Sequence, residues 1–210
     1  MHWSTLVFAL FDMDWLFLVG TAAFSVSGYL IGVKKRFDLL GVLIVASLTA
    51  IGGGVVRDVL LNRVPIVFQD ASPVSTIIGT LILARLFSLH RSWNVHMHRV
   101  FVLADSIGLI AFSLAGAQVG IEYGLNLFGV LCVGFITAVG GGVLRDMLVN
   151  DVPFILDRDF YGTVAILMAA LLYTAQVFGH SGNQVLWGLF ALGLAIRLIA
   201  HARDFRLPTV

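Results

Sequence analysis

Charged side chains are scarce in this sequence. Asp, Glu, Lys and Arg make up 12% of its 210 residues, about half the share of roughly 25% usual in soluble domains. Five long stretches carry no charge at all: 15–33, 39–56, 106–121, 123–144 and 160–196. A membrane span needs about 20 apolar residues, so these runs read as spans and not as a soluble core. Cysteine is nearly absent too. Cys132 stands alone inside an apolar run, so it forms no internal disulfide, says nothing of redox compartment, and is expected as a small buried residue. The first residues lack a basic segment and a small-residue cleavage site, which argues against a cleaved signal peptide. With a net charge of +1, nothing in the chain attracts a nucleic acid. HExxH and GxGD patterns are missing, as is the GK[ST] ending of a phosphate-binding loop. The expectation is a protein that is not an enzyme and carries no cofactor.

What the chain does have is a phrase written twice. TAIGGGVVRDVLLNRVPIVF runs from Thr49 to Phe68, and TAVGGGVLRDMLVNDVPFIL runs from Thr137 to Leu156, 88 residues further on. Twelve of twenty positions are identical, including three glycines, an Arg-Asp pair, an Asn and a Pro. At the same offset Phe24, Ser25 and Gly28 match Phe112, Ser113 and Gly116, and Gly41 matches Gly129. Composition alone does not reproduce such agreement; it marks an internal duplication.

The apolar runs predict an all-α polytopic membrane protein of seven spans, at 14–33, 39–62, 71–89, 100–120, 125–150, 160–177 and 184–201. Lys34, Lys35, Arg36, Arg91, Arg99, Arg203 and Arg206, with Arg85 and Arg197 nearby, all fall on one side. Arg63 faces them alone from the other side, leaving aside Arg57 in the motif. The positive-inside rule then places the N-terminus outside and the C-terminus in the cytoplasm. Three spans per repeat make the second unit start on the opposite side from the first. The reading is an inverted 3+3 repeat, units 12–92 and 98–179, followed by a seventh helix at 183–203, with a pseudo-two-fold axis in the membrane plane.

Gly52, Gly53, Gly54 and Gly140, Gly141, Gly142 fall near the middle of spans two and five. Each glycine disfavours helix by about 1 kcal/mol relative to Ala. They are expected to break or kink both helices around a shared interior, since unwound backbone survives in a membrane only inside protein or along water. The alternative is close helix packing through small residues. Arg57, Asp58, Arg145 and Asp146 follow one turn later, and charge there is expected to face the bundle interior or a hydrated cavity, or else to snorkel at a helix end. Neighbours on a helix point about 100° apart, so the adjacent Arg and Asp need not pair with each other. A bond between Arg57 and Asp146 is not expected either, because inversion puts each Arg about 6 Å from the midplane in opposite leaflets. Asp14 and Asp105, at the starts of spans one and four, are the better partners. Ser25, Ser113, Thr49 and Thr137 are candidate pore hydroxyls, unless they merely bond back to their own helices. His90, His96 and His98 read as part of a solvated basic loop, with no acidic or Cys partner for a metal.

The doubled GGGxxRD phrase on spans two and five resembles the bacterial branch of the trimeric intracellular cation (TRIC) channel family, sequences also grouped under a "glycine transporter" domain name. The resemblance covers about 14–201. It implies a homotrimer in the bacterial inner membrane, each protomer carrying an hourglass pore between its repeats, permeable to a monovalent cation, K+ or Na+. It also implies that the six glycines shape the pore and that Arg57, Asp58, Arg145 and Asp146 hold or flank its constriction. A secondary transporter of a small solute such as glycine is the competing expectation, because broken helices in inverted repeats serve transporters too.

Overall fold

The computed structural model describes residues 3–87, 89, 95–157, 160–203 and 205; of 3–14 and 157 the backbone alone is described. Among these residues the regular elements are helices: α1 (Trp3–Lys34), α2 (Leu39–Leu60), α3 (Ser72–Leu86), α4 (Val95–Glu122), α5 (Leu127–Leu148), a single turn α6 (Phe154–Asp157), α7 (Tyr161–Val177) and α8 (Asn183–Ala202). A 3-10 turn, Ile66–Phe68, precedes α3. Five of the helices are long and apolar enough to cross a membrane, while α3 and α7 are apolar but shorter. α1 starts well ahead of the expected 14. α4 starts ahead of 100, so His96 and His98 ride on its first turns instead of on a loop. His90, Arg91 and Arg206 lie outside the described residues.

Both copies of the repeat fold by the same local chemistry. Asp38 caps α2 by accepting the Gly41 N–H at 2.7 Å, and Asn126, 88 residues on, caps α5 through the Gly129 N–H at 2.9 Å. Such caps contribute about 1 kcal/mol each. At the other ends, Asn62 (φ 53°) and Asn150 (φ 55°) take the left-handed conformation. The amides of Arg63 and Asp151 then reach back to the carbonyls of Asp58 and Asp146, both at 2.9 Å. This is the Schellman closure, and it explains why each phrase carries an Asn at that position.

The helix pairs are antiparallel and exchange places under one rotation. Along α1 and α4, Gly20 faces the ring of Phe112, and Gly108 faces the ring of Phe24. Shifting each member of the first contact by 88 and swapping the helices gives the second. The same operation relates the contacts between α2 and α5, so an approximate two-fold axis runs across these four helices. They form the centre, with Phe24, Phe112, Ala50, Ala138 and Leu109 buried among them. α3 lies on α1, α7 lies on α4 and α5, and α8 covers α4 and α7. Leu40, Ile44, Val59, Leu60, Ile82 and Phe128 point outward on this shell. A surface so apolar is suited to lipid.

A glycine crossing between two buried ion clusters

The expected breaks at the glycines are absent. α2 and α5 stay helical through Gly52–Gly54 and Gly140–Gly142, and none of the six has a positive φ. The glycines serve close approach instead. A Cβ on Gly53 would lie 2.2 Å from the Thr137 carbonyl oxygen, and one on Gly141 would lie 2.0 Å from the Thr49 carbonyl oxygen. Gly140 meets the Cα of Gly53, where a Cβ would stand at 2.9 Å. The two backbones touch there, as small residues allow in membrane helices. Keeping the helical hydrogen bonds avoids free amides and carbonyls in lipid, which is why packing prevails over unwinding.

The four hydroxyls expected to line a pore are fully buried. Thr49 donates to the Val45 carbonyl at 2.6 Å, Thr137 to Val133 at 2.7 Å, and Ser25 to Thr21 at 2.7 Å, each on its own helix. Ser113 donates to the Ala165 carbonyl on α7 at 2.6 Å. Their donors are spent on the protein, so in this conformation they bind helices together and do not face a water path.

One turn beyond the crossing, the adjacent Arg and Asp of each phrase bond to each other, which their angular separation does not require. Arg57 Nε reaches Asp58 Oδ1 at 2.7 Å, and Arg145 Nε reaches Asp146 Oδ1 at 2.7 Å. A long Arg side chain bends back over one residue, which a Cβ direction alone does not reveal. Each Asp also gathers the loop that follows. Asp58 Oδ2 accepts the Ile66 N–H at 3.1 Å and Asp146 Oδ2 accepts the Phe154 N–H at 2.8 Å. Arg63, read from sequence only as a lone loop charge, donates to Asp58 Oδ1 at 2.7 Å.

The two clusters then diverge. Arg145 Nη1 reaches Asp105 Oδ1 on α4 and Ser27 Oγ on α1, both at 2.5 Å, and its guanidinium lies 5.0 Å over the Phe101 ring. Ser27 itself donates to Asp105 at 3.1 Å. At the position matching Asp105, the first repeat has Phe17, whose ring borders Gly54 beside Arg57. The side chain of Asp14, the other expected partner, lies outside the described residues. Arg57, Asp58, Asp105, Arg145 and Asp146 are all at least nine-tenths buried. Charges so buried need partners within hydrogen-bond reach, and each has one.

Sequence reasoning missed two members of the second cluster. Arg197 on α8 is 2% exposed, with its guanidinium 5.0 Å over Tyr161 and 5.8 Å over Phe154. The Tyr161 hydroxyl and Arg145 Nη2 border the space where a Cβ on Gly142 would sit, at 3.4 and 3.7 Å. The signal for Arg197 was its place inside an apolar run, which reads equally as a helix-end charge.

The chain is similar over nearly its whole length to known proteins. A family model described as "Glycine transporter" matches the chain twice, over 14–88 and 102–176, both windows displaced by the same 88 residues as the phrase. A UPF0126 membrane protein of Deinococcus radiodurans is 38% identical over 199 residues, covering 93% of this chain and 91% of the relative. The UPF0126 inner membrane protein YadS of Escherichia coli (strain K12) is 33% identical, covering 93% and 94%. A structure solved to explain conductance through TRIC cation channels superposes with a TM-score of 0.80 at 34% identity, over 94% of this chain and 96% of that one. The chain belongs to the TRIC channel family. A TRIC trimeric intracellular cation channel orthologue from Rhodobacter sphaeroides superposes with a TM-score of 0.83 at 28% identity, covering 92% and 98%. The chain is an integral membrane protein of the bacterial inner membrane.

Proposed function

We propose that this TRIC-family chain is a cation channel that conducts potassium, assembled as a homotrimer with one path in each protomer. Its five long apolar helices and the shorter α3 and α7 are the spans, with the N-terminus outside and the C-terminus cytoplasmic, so Arg57 serves the outer end of the path and Arg145 the inner end. The observation that carries the reading is the α2–α5 crossing set between two buried Arg-Asp clusters, in a chain similar over nearly its whole length to solved TRIC cation channels. Backbone contact at Gly53 and Gly141 makes the crossing the narrowest place and therefore the gate. Gly-lined helices can part there without unlocking interdigitated side chains. Once parted, the carbonyls of Thr49 and Thr137 become available to replace part of a cation's hydration shell.

The ion clusters keep each Arg from repelling a cation. Arg57 is neutralised by Asp58, and Arg145 by Asp105 and Asp146. The competing reading, a carrier of a small amino acid, draws on the description of the family model. It needs half-helix N-termini to receive a carboxylate, and α2 and α5 offer none at the glycines. Planar-bilayer recording in asymmetric KCl decides between them. Discrete steps reversing near the potassium equilibrium potential support the channel. Absence of steps together with saturable, ion-coupled glycine uptake by proteoliposomes refutes it.

A further inference from the structure

The two repeats differ most where α3 meets α2. α7 packs along α5, whereas α3 leans on α1 and touches α2 only lightly. A groove of about 530 Å³ opens between α1, α2 and α3, within the range of ~300–1,000 Å³ typical of ligand pockets. Its lining is mostly apolar, with Val42, Leu81 and Ile82 along it and the buried Tyr29 beneath, and Arg36, Arg85 and Asp38 stand exposed at its edge. Asp38 is occupied as the cap of α2. Neither Arg36 nor Arg85 has a carboxylate partner among the described residues, and both are exposed. In the second repeat the positions matching Arg36 and Arg85 hold Gly124 and Tyr173, so the pair of cations belongs to this groove alone. Arg36 even holds a left-handed backbone (φ 59°) where its counterpart is a glycine at φ 68°, a conformation unfavourable for a residue with a Cβ.

We propose that this groove binds an anionic glycerophospholipid from the leaflet at the α1–α2 loop, with the phosphate between Arg36 and Arg85 and one acyl chain along Val42, Leu81 and Ile82. The groove joins a cationic mouth at the end of three membrane helices to an apolar slot running back between them. That is the charge and polarity profile of a phospholipid and of few other molecules in a bilayer. Guanidinium is suited to phosphate because its planar donors meet two oxygens at once.

The test is native mass spectrometry of the intact protein in neutral detergent, titrated with dioleoyl phosphatidylglycerol, dioleoyl phosphatidylcholine or inorganic phosphate. Phosphatidylglycerol is expected to bind more tightly than phosphatidylcholine. Arg36→Gln and Arg85→Gln are each expected to weaken it about fivefold, and the pair about twentyfold. Arg99→Gln, an exposed charge on α4 outside the groove, should leave binding unchanged. Ile82→Trp, which fills the slot and keeps both cations, should weaken it as well. Equal binding of the two lipids overturns the proposal, as does competition by millimolar phosphate alone, since the acyl slot would then contribute nothing. A loss with Arg99→Gln matching that of Arg36→Gln overturns it too, by reducing the effect to surface charge. Efficient cross-linking between copies through Ile82→Cys, in a Cys132→Ser background, would assign the groove to a subunit interface and exclude the lipid.

Discussion

Replacing Gly141 with Ala tests whether the glycines serve contact or unwinding. The new Cβ would lie 2.0 Å from the Thr49 carbonyl oxygen and 3.0 Å from its carbon, both backbone atoms that cannot rotate away. Ordinary contact lies near 3.5 Å, so α2 and α5 must part by more than about 1 Å. Overpacking of this kind costs about 1–3 kcal/mol, set against a gain of about 1 kcal/mol for Ala over Gly within a helix. Gly79→Ala on α3 and Gly188→Ala on α8 isolate that gain, because nothing lies within 4 Å of a Cβ at either position. The helix gain cancels in that comparison, so Gly141→Ala and Gly53→Ala should fall below these controls by about 1–3 kcal/mol, or roughly 2–12 °C in Tm for a chain of this size. Thermal denaturation in detergent, followed by the monodisperse fraction surviving size exclusion, reads the difference. Within each triplet the third glycine should be tolerant. A Cβ on Gly54 meets its nearest atoms at 3.9 Å, and one on Gly142 at 3.4 Å. If Gly54→Ala is as harmful as Gly53→Ala, contact is the wrong explanation and backbone freedom the right one.

Three other outcomes follow from the ion clusters and loops. Asp58→Ala strips the partner from buried Arg57 and releases the Ile66 amide, and should destabilise by about 3–5 kcal/mol, measured by the same thermal assay; Arg63→Ala, at 28% side-chain exposure, should lose at most about 1 kcal/mol. Arg57→Ala and Arg145→Ala should both alter open probability in bilayer recordings, and unchanged gating in both would remove the clusters from the mechanism. Cysteines placed at Asn62 and Asn150 in a Cys132→Ser background should react with an impermeant thiol reagent from opposite faces of the membrane; labelling from one face would refute the inverted arrangement.

The duplication was legible because it is written in residues with fixed local duties. Asn62 and Asn150 close helices, Asp38 and Asn126 open them, and the Arg-Asp pairs are too costly in lipid to occur without a role. The lengths of the uncharged apolar runs gave the helices, and composition gave the membrane. The use of the glycines was not legible, since the same three residues permit both unwinding and close contact, and only the partner backbone decides. Nor was the bond between adjacent Arg and Asp: reach along a flexible side chain is invisible to helical-wheel angles. Tyr161 carried no signal at all, because its place at Arg197 depends on how α7 and α8 pack.

The departures from two-fold symmetry say where the duplicated halves took on different work. The backbone crossing at Gly53 and Gly141 and the loop capture by Asp58 and Asp146 are kept in both, which assigns them to the scaffold common to the repeats. Arg145, however, is tied to α1 through Ser27 and to α4 through Asp105, while Phe17 stands where a matching carboxylate would be. Three helices are thereby locked at one end of the crossing, whereas among the described residues the ion pairs of the other end, Arg57 and Arg63 on Asp58, join α2 only to the loop that follows it. Separation of α2 from α5 should then begin at the Arg57 end, with the Arg145 end as the hinge. Asp105→Asn, which loosens the hinge while keeping its shape, should raise open probability more than Asp58→Asn does. The reverse order in single-channel records would place the hinge at the Arg57 end.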